Sequence, residues 1–549
     1  MNAHPLLARI TIAAAMAGWL SEDPSIQAAA TPLWTPYETV LTATSQPANP
    51  YVSLSAEAVL DPPGGGPRRR LPLFWDGGRT WKLRFSPDKP GVWRWTVQSK
   101  DPGLDGQTGG FEAAGSGHPG RLEPMARFPH HFSRQDGAPF WFLGDTAWAL
   151  FTDSQSEHHD RAAAFRYLEA RARQGFNVVH SMLLSEAGWG NAGGPPFLDL
   201  GAEQINPAYW QEVDLRIAEA NRQGIVCGLA LAWGDKRKVE PFAWRRFPSV
   251  EARHRYARYI AARYSALDVY FIVSGEWHAE IRTRPSTEDA LRQEFVALGN
   301  TIRAADPHGR MAAIHPMTSH GSVREFNPAP WMAFGDYQQN YRDLHARALL
   351  SRSYRKPVVN SEYGYFLRDQ DGDGVPDKDN STSIESMRHA TWDIVMAGGY
   401  PITGFGTTYF GGNRDPGPFD LEAEKNRPWE LQIGLVKRLF TTFDWWKLEP
   451  QDDALSCAAP RGTEGKEFGR ITPPRVAYWC LAELGRQYVI YVRGLAQAVE
   501  LEIPAAARLS SCRLFNPRTG ELKSLPLPAD ANRYQFVPPD DQDWLVAIR

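Results

Sequence analysis

The chain has 549 residues, of which 42% are hydrophobic and 22% charged, so it has ordinary globular composition and enough apolar material for several cores. Its formal charge of −3 gives no reason to expect nucleic acid or an anionic membrane surface as a partner. The distinctive counts are 20 Trp and 43 Pro. Abundant Trp with Tyr often lines sites for flat, hydroxyl-rich ligands, although large β cores also use Trp.

The first 30 residues have the pattern of an export signal. Arg9 precedes the apolar run 10–20, and residues 27–30, Gln-Ala-Ala-Ala, resemble a small-residue cleavage site, although Glu22 and Asp23 follow the run. No other stretch is long enough to span a bilayer. The sequence therefore predicts an exported protein, periplasmic or extracellular, that does not insert into a membrane.

The cysteines do not have the spacing of a zinc site, because no Cys-x-x-Cys pair occurs. Cys227 lies in an apolar run and is predicted to be a buried thiol. For Cys457, Cys480 and Cys512, the exported context makes a disulfide one alternative and free thiols the other.

Residues 31–120 have the pattern of an N-terminal β-sandwich. Residues 51–60 alternate between apolar and polar, and residues 73–81 indicate two strands joined by a tight turn of the Asp-Gly type. Residues 91–97 continue the period of two, and the Gly/Pro-rich stretch 115–120 is typical of a linker.

From residue 140 the pattern changes to apolar runs that alternate with helical segments. The strand candidates are 140–144, 176–183, 225–232, 269–274, 311–315, 332–336, 357–361 and 401–405. The helical candidates are 159–173, 207–222, 250–264, 286–304, 384–397 and 428–440.

The helix ends carry recognisable signals. Asn206 and Pro207 form a cap and first-turn proline, and Gly175 and Gly224 fall just past helix ends, where a left-handed residue is needed. Eight strands with intervening helices predict an α/β domain, a (β/α)₈ TIM barrel over residues 121–450. The step between the fifth and sixth strands lacks a clear helix.

After Trp445-Trp446 the period returns to two. Strand patterns occupy 475–482, 487–492 and 543–548, and Asn516–Glu521 has the composition of a hairpin turn. The sequence predicts a C-terminal β-sandwich over residues 451–549.

Two glutamates follow apolar strands of this barrel. Glu276 ends the fourth predicted strand and Glu362 ends the seventh. Strands four and seven lie across the barrel mouth from each other, so the two carboxylates can face one cleft. Such a pair is the minimum equipment for cleaving a glycosidic bond with retention. We assign Glu276 as acid/base, its pKa raised by the negative partner and by rings such as Trp277, and Glu362 as nucleophile. The alternative for each glutamate alone is a surface salt bridge.

Polar and aromatic side chains at the other strand ends are candidates for substrate binding, since hydroxyl-rich substrates need hydrogen-bonding groups and a stacking ring. For two of them an alternative stays open. His180 can instead be a hydrogen-bonded core histidine, and Asp145 can instead be a helix cap. The candidates are Asp145, Trp148, His180, Trp233, Trp277, His315, Asp336, Tyr337, Tyr363 and Tyr409.

An acidic loop follows Glu362. Its aspartates occur at every second position, with a Gly and a further acid, as in short extracellular calcium loops. Four close carboxylates repel one another without a cation, which favours a structural calcium over a solvated acidic turn. No cofactor is expected for catalysis. The predicted ligands are Asp369, Asp371, Asp373 and Asp377.

Several stretches together resemble the apiosidase-like glycoside hydrolases. Within the predicted barrel they are the entry run Phe132–Trp148, Gly175–Val179, Gly275-Glu276 and Ser361–Tyr363. Further matching stretches are Gly91–Trp93, Trp445–Leu448 and Asn516–Gly520. The resemblance implies an N-terminal β domain, a catalytic (β/α)₈ barrel and a C-terminal β domain often labelled collagen-binding.

The resemblance also implies hydrolysis of a plant or microbial polysaccharide, with carbohydrate as the partner. The chain departs from related barrels in having Gly275 where Asn is common, and from apiosidases in having Glu276 where they carry Asp. A catalytically silent carbohydrate-binding protein is the alternative. A serine hydrolase or a zinc protease is disfavoured, since neither Gly-x-Ser-x-Gly before a helix nor His-Glu-x-x-His occurs.

Overall fold

At the centre of the molecule lies a barrel of parallel strands. The computed structural model describes residues 30–549 except 156–158, 186–187, 237–239, 284–287, 318–319, 339–343, 367–381, 405–431, 463–464, 468–469, 506 and 528–531. The barrel strands are β1 (Gly144–Thr146), β2 (Val178–Met182), β3 (Val226–Ala230), β4 (Val269–Ile272), β5 (Ala312–Ala313), β6 (Gly335–Gln338), β7 (Val358–Asn360) and β8 (Tyr400–Gly404).

The hydrogen-bonded order around the barrel is β5-β4-β3-β2-β1-β8-β7-β6. A parallel bridge between Ala312 and Met332 joins β5 to the chain entering β6 and nearly closes the ring. His320–Gly321 adds a short antiparallel strand to β6. The predicted α/β barrel is therefore confirmed. The first strand, however, was predicted at 140–144 and begins four residues later, because Pro139–Phe140 pairs in a separate small sheet.

Helices cover the outside of the barrel. Their bounds are Arg161–Arg173, Pro207–Arg222, Val250–Tyr264, Ala279–Thr283, Glu288–Ala305, Val323–Phe326, Leu344–Arg352, Ile384–Met396 and Gly434–Phe440. The predicted helix ends are confirmed: the Asn206 side chain caps Ala208 N–H, and Gly175 and Gly224 have φ of +93° and +77°. Among the described residues, no helix is both long and apolar enough to cross a membrane.

A three-stranded sheet, Leu122–Pro124, Phe132–Arg134 and Pro139–Phe140, stands at the start of the barrel sequence. Its Phe132 stacks on Phe142 at 5.0 Å between ring centroids, and Phe334 and Tyr270 continue the aromatic contacts inside the barrel. This apolar layer fills the N-terminal end of the barrel and leaves the opposite end for polar side chains.

The N-terminal strands form two facing sheets around a core that contains Trp81, Trp93 and Trp95. In sheet order they are Thr31–Pro32, Thr108–Ala114, Gly91–Ser99, Ala56–Asp61 and Arg69–Pro72 in one sheet, and Tyr37–Thr42, Thr80–Phe85 and Phe74–Trp75 in the other. A short helix, Pro50–Ser53, precedes the strand that starts at Ala56.

A buried ion-pair network ties these sheets to the barrel helices. Arg263 donates to Asp76 at 2.8 Å and to Asp214 at 2.8 Å, and Arg84 donates to the same Asp214 at 2.7 Å. Arg84 lies in strand Thr80–Phe85 of the N-terminal sheets and Asp76 in the turn before it, whereas Arg263 and Asp214 lie on helices. The mutual neutralisation of these groups is what permits their burial.

The C-terminal strands form a six-stranded sheet and a three-stranded sheet around a second core. In sheet order they are Glu449–Pro450, Ala477–Glu483, Gln487–Arg493, Trp544–Ile548, Cys512–Phe515 and Leu522–Leu525, then Leu455–Cys457, Val499–Glu502 and Arg533–Phe536, with a separate pair Gly465–Glu467 and Arg470–Thr472. All four cysteines are free, which confirms the buried thiol at Cys227 and leaves the disulfide alternative unformed.

The C-terminal sheet docks on helix Ile384–Met396 through a buried carboxylate. Both oxygens of Asp393 accept from Arg493 at 2.8 Å, and the Trp479 indole donates to Asp393 at 2.8 Å. Asp393 and Arg493 are 1% and 2% exposed, so each neutralises a charge that water cannot reach.

We expect Asp393→Ala to lower the free energy of unfolding by about 3–5 kcal/mol, because it leaves the Arg493 guanidinium buried without its counterion. Urea titration followed by Trp fluorescence measures the change. The matched control is Asp61→Ala, which breaks an ion pair with Arg68 whose side chains are 46% and 71% exposed, and should cost about 0–1 kcal/mol. Equal losses in the two variants would contradict the assigned role of the interface.

Candidate active site

Glu276 follows β4 in a strained backbone conformation. Its φ of +37° lies in the left-handed region that non-glycine residues rarely adopt, and the strain costs on the order of 1–3 kcal/mol. The carboxylate is buried, and its Oε2 accepts from the Trp233 indole N–H at 3.2 Å and lies 2.8 Å from the Lys236 ammonium. The fold thus holds one oxygen of this carboxylate with two donors.

Trp233 lies flat against the residue before Glu276. A Cβ placed on Gly275 would meet three atoms of the indole at 2.0–2.3 Å, so the ring occupies the space that a side chain would need. A bridge pairs Trp233 with Gly275, extending β3 and β4 towards the mouth. The glycine noted as unusual in the sequence is therefore the reason that the indole N–H reaches Glu276.

Glu362 follows β7 beside a buried histidine. The His315 Nε2 atom lies 3.4 Å from the Glu362 Oε2 atom. On its other side, His315 Nδ1 is 2.8 Å from the Ser361 hydroxyl and 3.4 Å from Asp336. Ser361 in turn donates to Asp336. His315 is therefore held between two carboxylates from neighbouring strand ends.

The charges around His315 decide its protonation. Burial lowers the pKa of His315, but hydrogen bonds and charge attraction from Asp336 and Glu362 outweigh it and raise the pKa to about 10. Burial raises the pKa of Asp336 against hydrogen bonds from His315 and Ser361. At neutral pH the histidine is an imidazolium that stabilises the negative charge of Glu362.

A cluster of rings joins the two glutamates. The Trp233 ring, which bonds Glu276, lies 5.5 Å from His315, which contacts Glu362. Trp148 packs on both, at 5.2 Å from Trp233 and 5.8 Å from His315 between ring centroids. Glu276 and Glu362 therefore border one continuous cluster of rings.

The histidine of β2 lies deeper in the barrel. His180 contacts the Tyr270 hydroxyl across β3, where a Cβ on Gly228 would clash with both side chains. Burial, and secondarily the charge of His315, hold the pKa of His180 well below its usual value. His180 is therefore a fully buried, neutral side chain, which favours the core role that the sequence left open.

Asp145 faces away from the barrel centre. Its carboxylate accepts from Arg171 at 2.6 Å, from Tyr167 at 2.7 Å and from Thr403 at 2.9 Å. It is 1% exposed. These contacts favour a structural tie between β1 and helix Arg161–Arg173 over the substrate contact predicted from its position.

Three aromatic candidates also point outward. Trp277 packs against Phe326 at 4.9 Å, rather than lying beside the Glu276 carboxylate as predicted. The Tyr363 hydroxyl bonds Thr391 in helix Ile384–Met396 at 2.6 Å, and Tyr337 packs in a cluster beneath helix Leu344–Arg352. Each directly follows or precedes an inward residue, and successive side chains of a strand point to opposite faces.

Sequence reasoning missed three groups at the centre. Tyr365 accepts the Trp148 indole N–H at 2.8 Å, Ser361 bridges His315 and Asp336, and Lys236 pairs with Glu276. Ser361 immediately precedes Glu362 and could have been found there. Lys236 and Tyr365 lie in loops beyond the strand ends, and no periodic signal marks them.

Two predictions fall outside the described residues: the Tyr409 contact and the calcium loop of aspartates 369, 371, 373 and 377. Within the described part of the chain, no group of three or more His, Cys, Asp or Glu side chains is arranged to hold a metal. The calcium loop stays a prediction.

The fold is that of the glycoside hydrolase barrels. A Bacteroides vulgatus protein proposed to be a glycoside hydrolase has a TM-score of 0.71 and 18% identity over 94% of this chain and 99% of that one. A family 5 glycoside hydrolase from the same organism has a TM-score of 0.59 and 17% identity, covering 78% of this chain and 93% of that one.

Residues 128–447, more than half of the chain, match the model of the apiosidase-like catalytic domain, so the chain belongs to the apiosidase-like family. This match confirms the resemblance seen in the sequence motifs. Residues 30–100 match a domain of unknown function, DUF5060. No curated protein sequence matches the chain.

We expect Gly275→Ala to displace the Trp233 ring and remove its hydrogen bond to Glu276. Overpacking of this kind costs about 1–3 kcal/mol of folding free energy. Turnover of an active substrate should fall by more than the folded fraction does, as judged by circular dichroism of the same samples. Gly117→Ala is the control, since its φ, like that of Gly275, lies outside the left-handed region and an added Cβ meets nothing within 4 Å. Unchanged turnover in Gly275→Ala would contradict the positioning role of Trp233.

The pKa of His315 predicts a pH-dependent stability. With the pKa raised from 6.5 to about 10 by folding, its contribution is fully present below pH 6.5 and is lost as pH rises towards 10. We expect the free energy of unfolding of the wild type, measured in urea, to fall more steeply between pH 7 and pH 10 than that of His315→Gln. Parallel pH profiles would contradict a buried imidazolium.

Proposed function

We propose that the chain is an exported retaining glycoside hydrolase that acts on a plant or microbial polysaccharide. The observation that carries the proposal is the contact path from Glu276 through Trp233 and His315 to Glu362, at the end of the barrel where catalytic groups of this fold lie. The family match supports the reaction class, and the pattern of residues 1–30 supports export.

In the first step Glu362 attacks the anomeric carbon while Glu276 gives its proton to the departing glycosidic oxygen, so the bond to the leaving group breaks as the glycosyl ester forms. In the second step Glu276 takes a proton from water, the water oxygen bonds to the anomeric carbon, and Glu362 is released. Two inversions give net retention of configuration.

The neighbouring groups fit these roles. The His315 imidazolium keeps the Glu362 carboxylate ionised for attack, and Asp336 in turn neutralises His315. Trp233 and Lys236 both engage Oε2 of Glu276 and so fix its orientation.

We expect Glu276→Ala and Glu362→Ala each to lower kcat/KM by at least about 10²–10⁴-fold on whichever aryl glycoside or pectic or hemicellulosic oligosaccharide the wild type cleaves, because each variant removes a reacting group. Glu169→Ala, which removes an exposed glutamate paired with Arg173, is the control and should retain activity. Full activity in either active-site variant would sink the assignment, and oligosaccharide binding without turnover by the wild type would indicate the silent binding protein.

Azide identifies the nucleophile. In Glu362→Gly, azide should enter the space left by the carboxylate and restore turnover of an activated aryl glycoside, giving a glycosyl azide of inverted configuration that NMR detects. The same anion should rescue the second step of Glu276→Ala with retention of configuration. The opposite pattern would exchange the two roles.

A further inference from the structure

A second cavity lies far from the barrel mouth, between the N-terminal sheets and the outer face of helix Val250–Tyr264. Its volume is about 600 Å³, within the range of small-molecule sites, about 300–1,000 Å³. Residues of the N-terminal sheets, such as Phe74 and Trp75, form one wall, and Arg255, Arg258 and Tyr259 of the helix form the other.

The floor of this groove is aromatic. Tyr51 and Tyr259 meet edge to face at 5.6 Å between ring centroids, and Trp81 and Phe74 are buried beside them. Trp75 is only half-buried. Its indole N–H donates to the Gly78 carbonyl at 3.0 Å, so the ring is a fixed platform with part of its surface accessible.

The rim of the groove carries exposed polar side chains of both signs. Gln98 and Lys100 are exposed on the sheet side, where Glu57 is half-buried, and Glu251 and Arg258 are exposed on the helix side. Such a mixture of amide, carboxylate and cationic groups around an accessible ring can hydrogen-bond a hydroxyl-rich molecule whose flat apolar face stacks below.

The Arg255 guanidinium lies over the Tyr51 ring, with Cζ 5.4 Å from the centroid. Arg255 also acts on the buried Tyr51 hydroxyl through its charge and a hydrogen bond. Tyr51 is 6% exposed, so this pair closes the floor of the groove on the helix side.

The two walls are held together before any ligand binds. The ion pairs of Arg84 and Arg263 with Asp76 and Asp214 link the N-terminal sheets to the helices that form the groove. The Tyr259 hydroxyl also donates to the Trp75 carbonyl, at 3.3 Å. A preformed groove binds a ligand without the entropy cost of ordering its walls.

We propose that this groove is an accessory carbohydrate-binding site, in which a sugar ring of a polysaccharide stacks on Trp75 and its hydroxyls bond the polar rim. The inference rests on the proposed function for its ligand class. Since the groove lies outside the barrel, it holds the polymer on the enzyme and raises its effective concentration at the mouth. It thereby gives the N-terminal sheets a role in substrate capture.

The test uses the full chain with Glu362→Ala, so that bound polymer is not degraded, in gels containing arabinoxylan, xyloglucan, homogalacturonan or galactomannan. We expect at least one polymer to retard the parent. Trp75→Ala should weaken that retardation about tenfold or more, as for a central aromatic anchor. The double variant Gln98→Ala/Arg258→Ala changes only exposed rim residues and should also weaken it, which guards against misfolding in Trp75→Ala. Trp446→Ala, another half-buried Trp, is the control.

A second measurement separates the groove from catalysis. With Glu362 restored, the rim variant should lower kcat/KM on the retarding polymer and leave it unchanged on a short aryl glycoside. No retardation of the parent, or equal retardation of parent and groove variants, would overturn the accessory site whatever the hydrolysis assays show. If the groove variants weaken retardation but the wild-type chain hydrolyses no substrate, the accessory site would stand and only the catalytic proposal would fail.

Discussion

The site depends on one buried positive charge. His315 is 0% exposed, and an isolated imidazolium there would be strongly unfavourable. Asp336 in β6 and Glu362 after β7 supply the negative charge that permits it, and their positions are fixed by the parallel pairing of the two strands. The charge that the fold must neutralise therefore lies directly beside the Glu362 carboxylate, so the stability of this part of the barrel and the electrostatics of the candidate site share a single interaction.

Much of the fold could be predicted, because parallel strands covered on both faces have continuous apolar runs and helices have cap residues. Asn206 and Gly224 marked helix ends that the structure has. The step between β5 and β6 showed no helical pattern. Its described residues form the short strand His320–Gly321, the four-residue helix Val323–Phe326 and the bridge that nearly closes the barrel. The first strand was misplaced because the apolar run at 140–144 serves two sheets in succession.

The sequence marked residues at the strand ends but could not tell which of them face the barrel centre. Polar and aromatic residues are adjacent at several strand ends, as in Glu362-Tyr363 and Asp336-Tyr337, and only one of each pair can face the centre. The sequence identifies both residues of such a pair as candidates. Which of them faces the centre depends on strand register, and register is set by pairing with strands far along the sequence. Outward Tyr363 is accordingly bonded to a helix residue, and inward Glu362 to His315.

The substitution of a small residue for an amide side chain before Glu276 changes how the site is walled. Because residue 275 is glycine, the Trp233 indole fills the space that a side chain would occupy. Its N–H donates to the Glu276 carboxylate, and its apolar face lies along the site. The wall beside Glu276 therefore offers an apolar ring surface rather than a side-chain amide at that position. Since the backbone of Glu276 is itself strained at φ +37°, the extension of β3 onto Gly275 is needed to hold both the ring and the carboxylate in place.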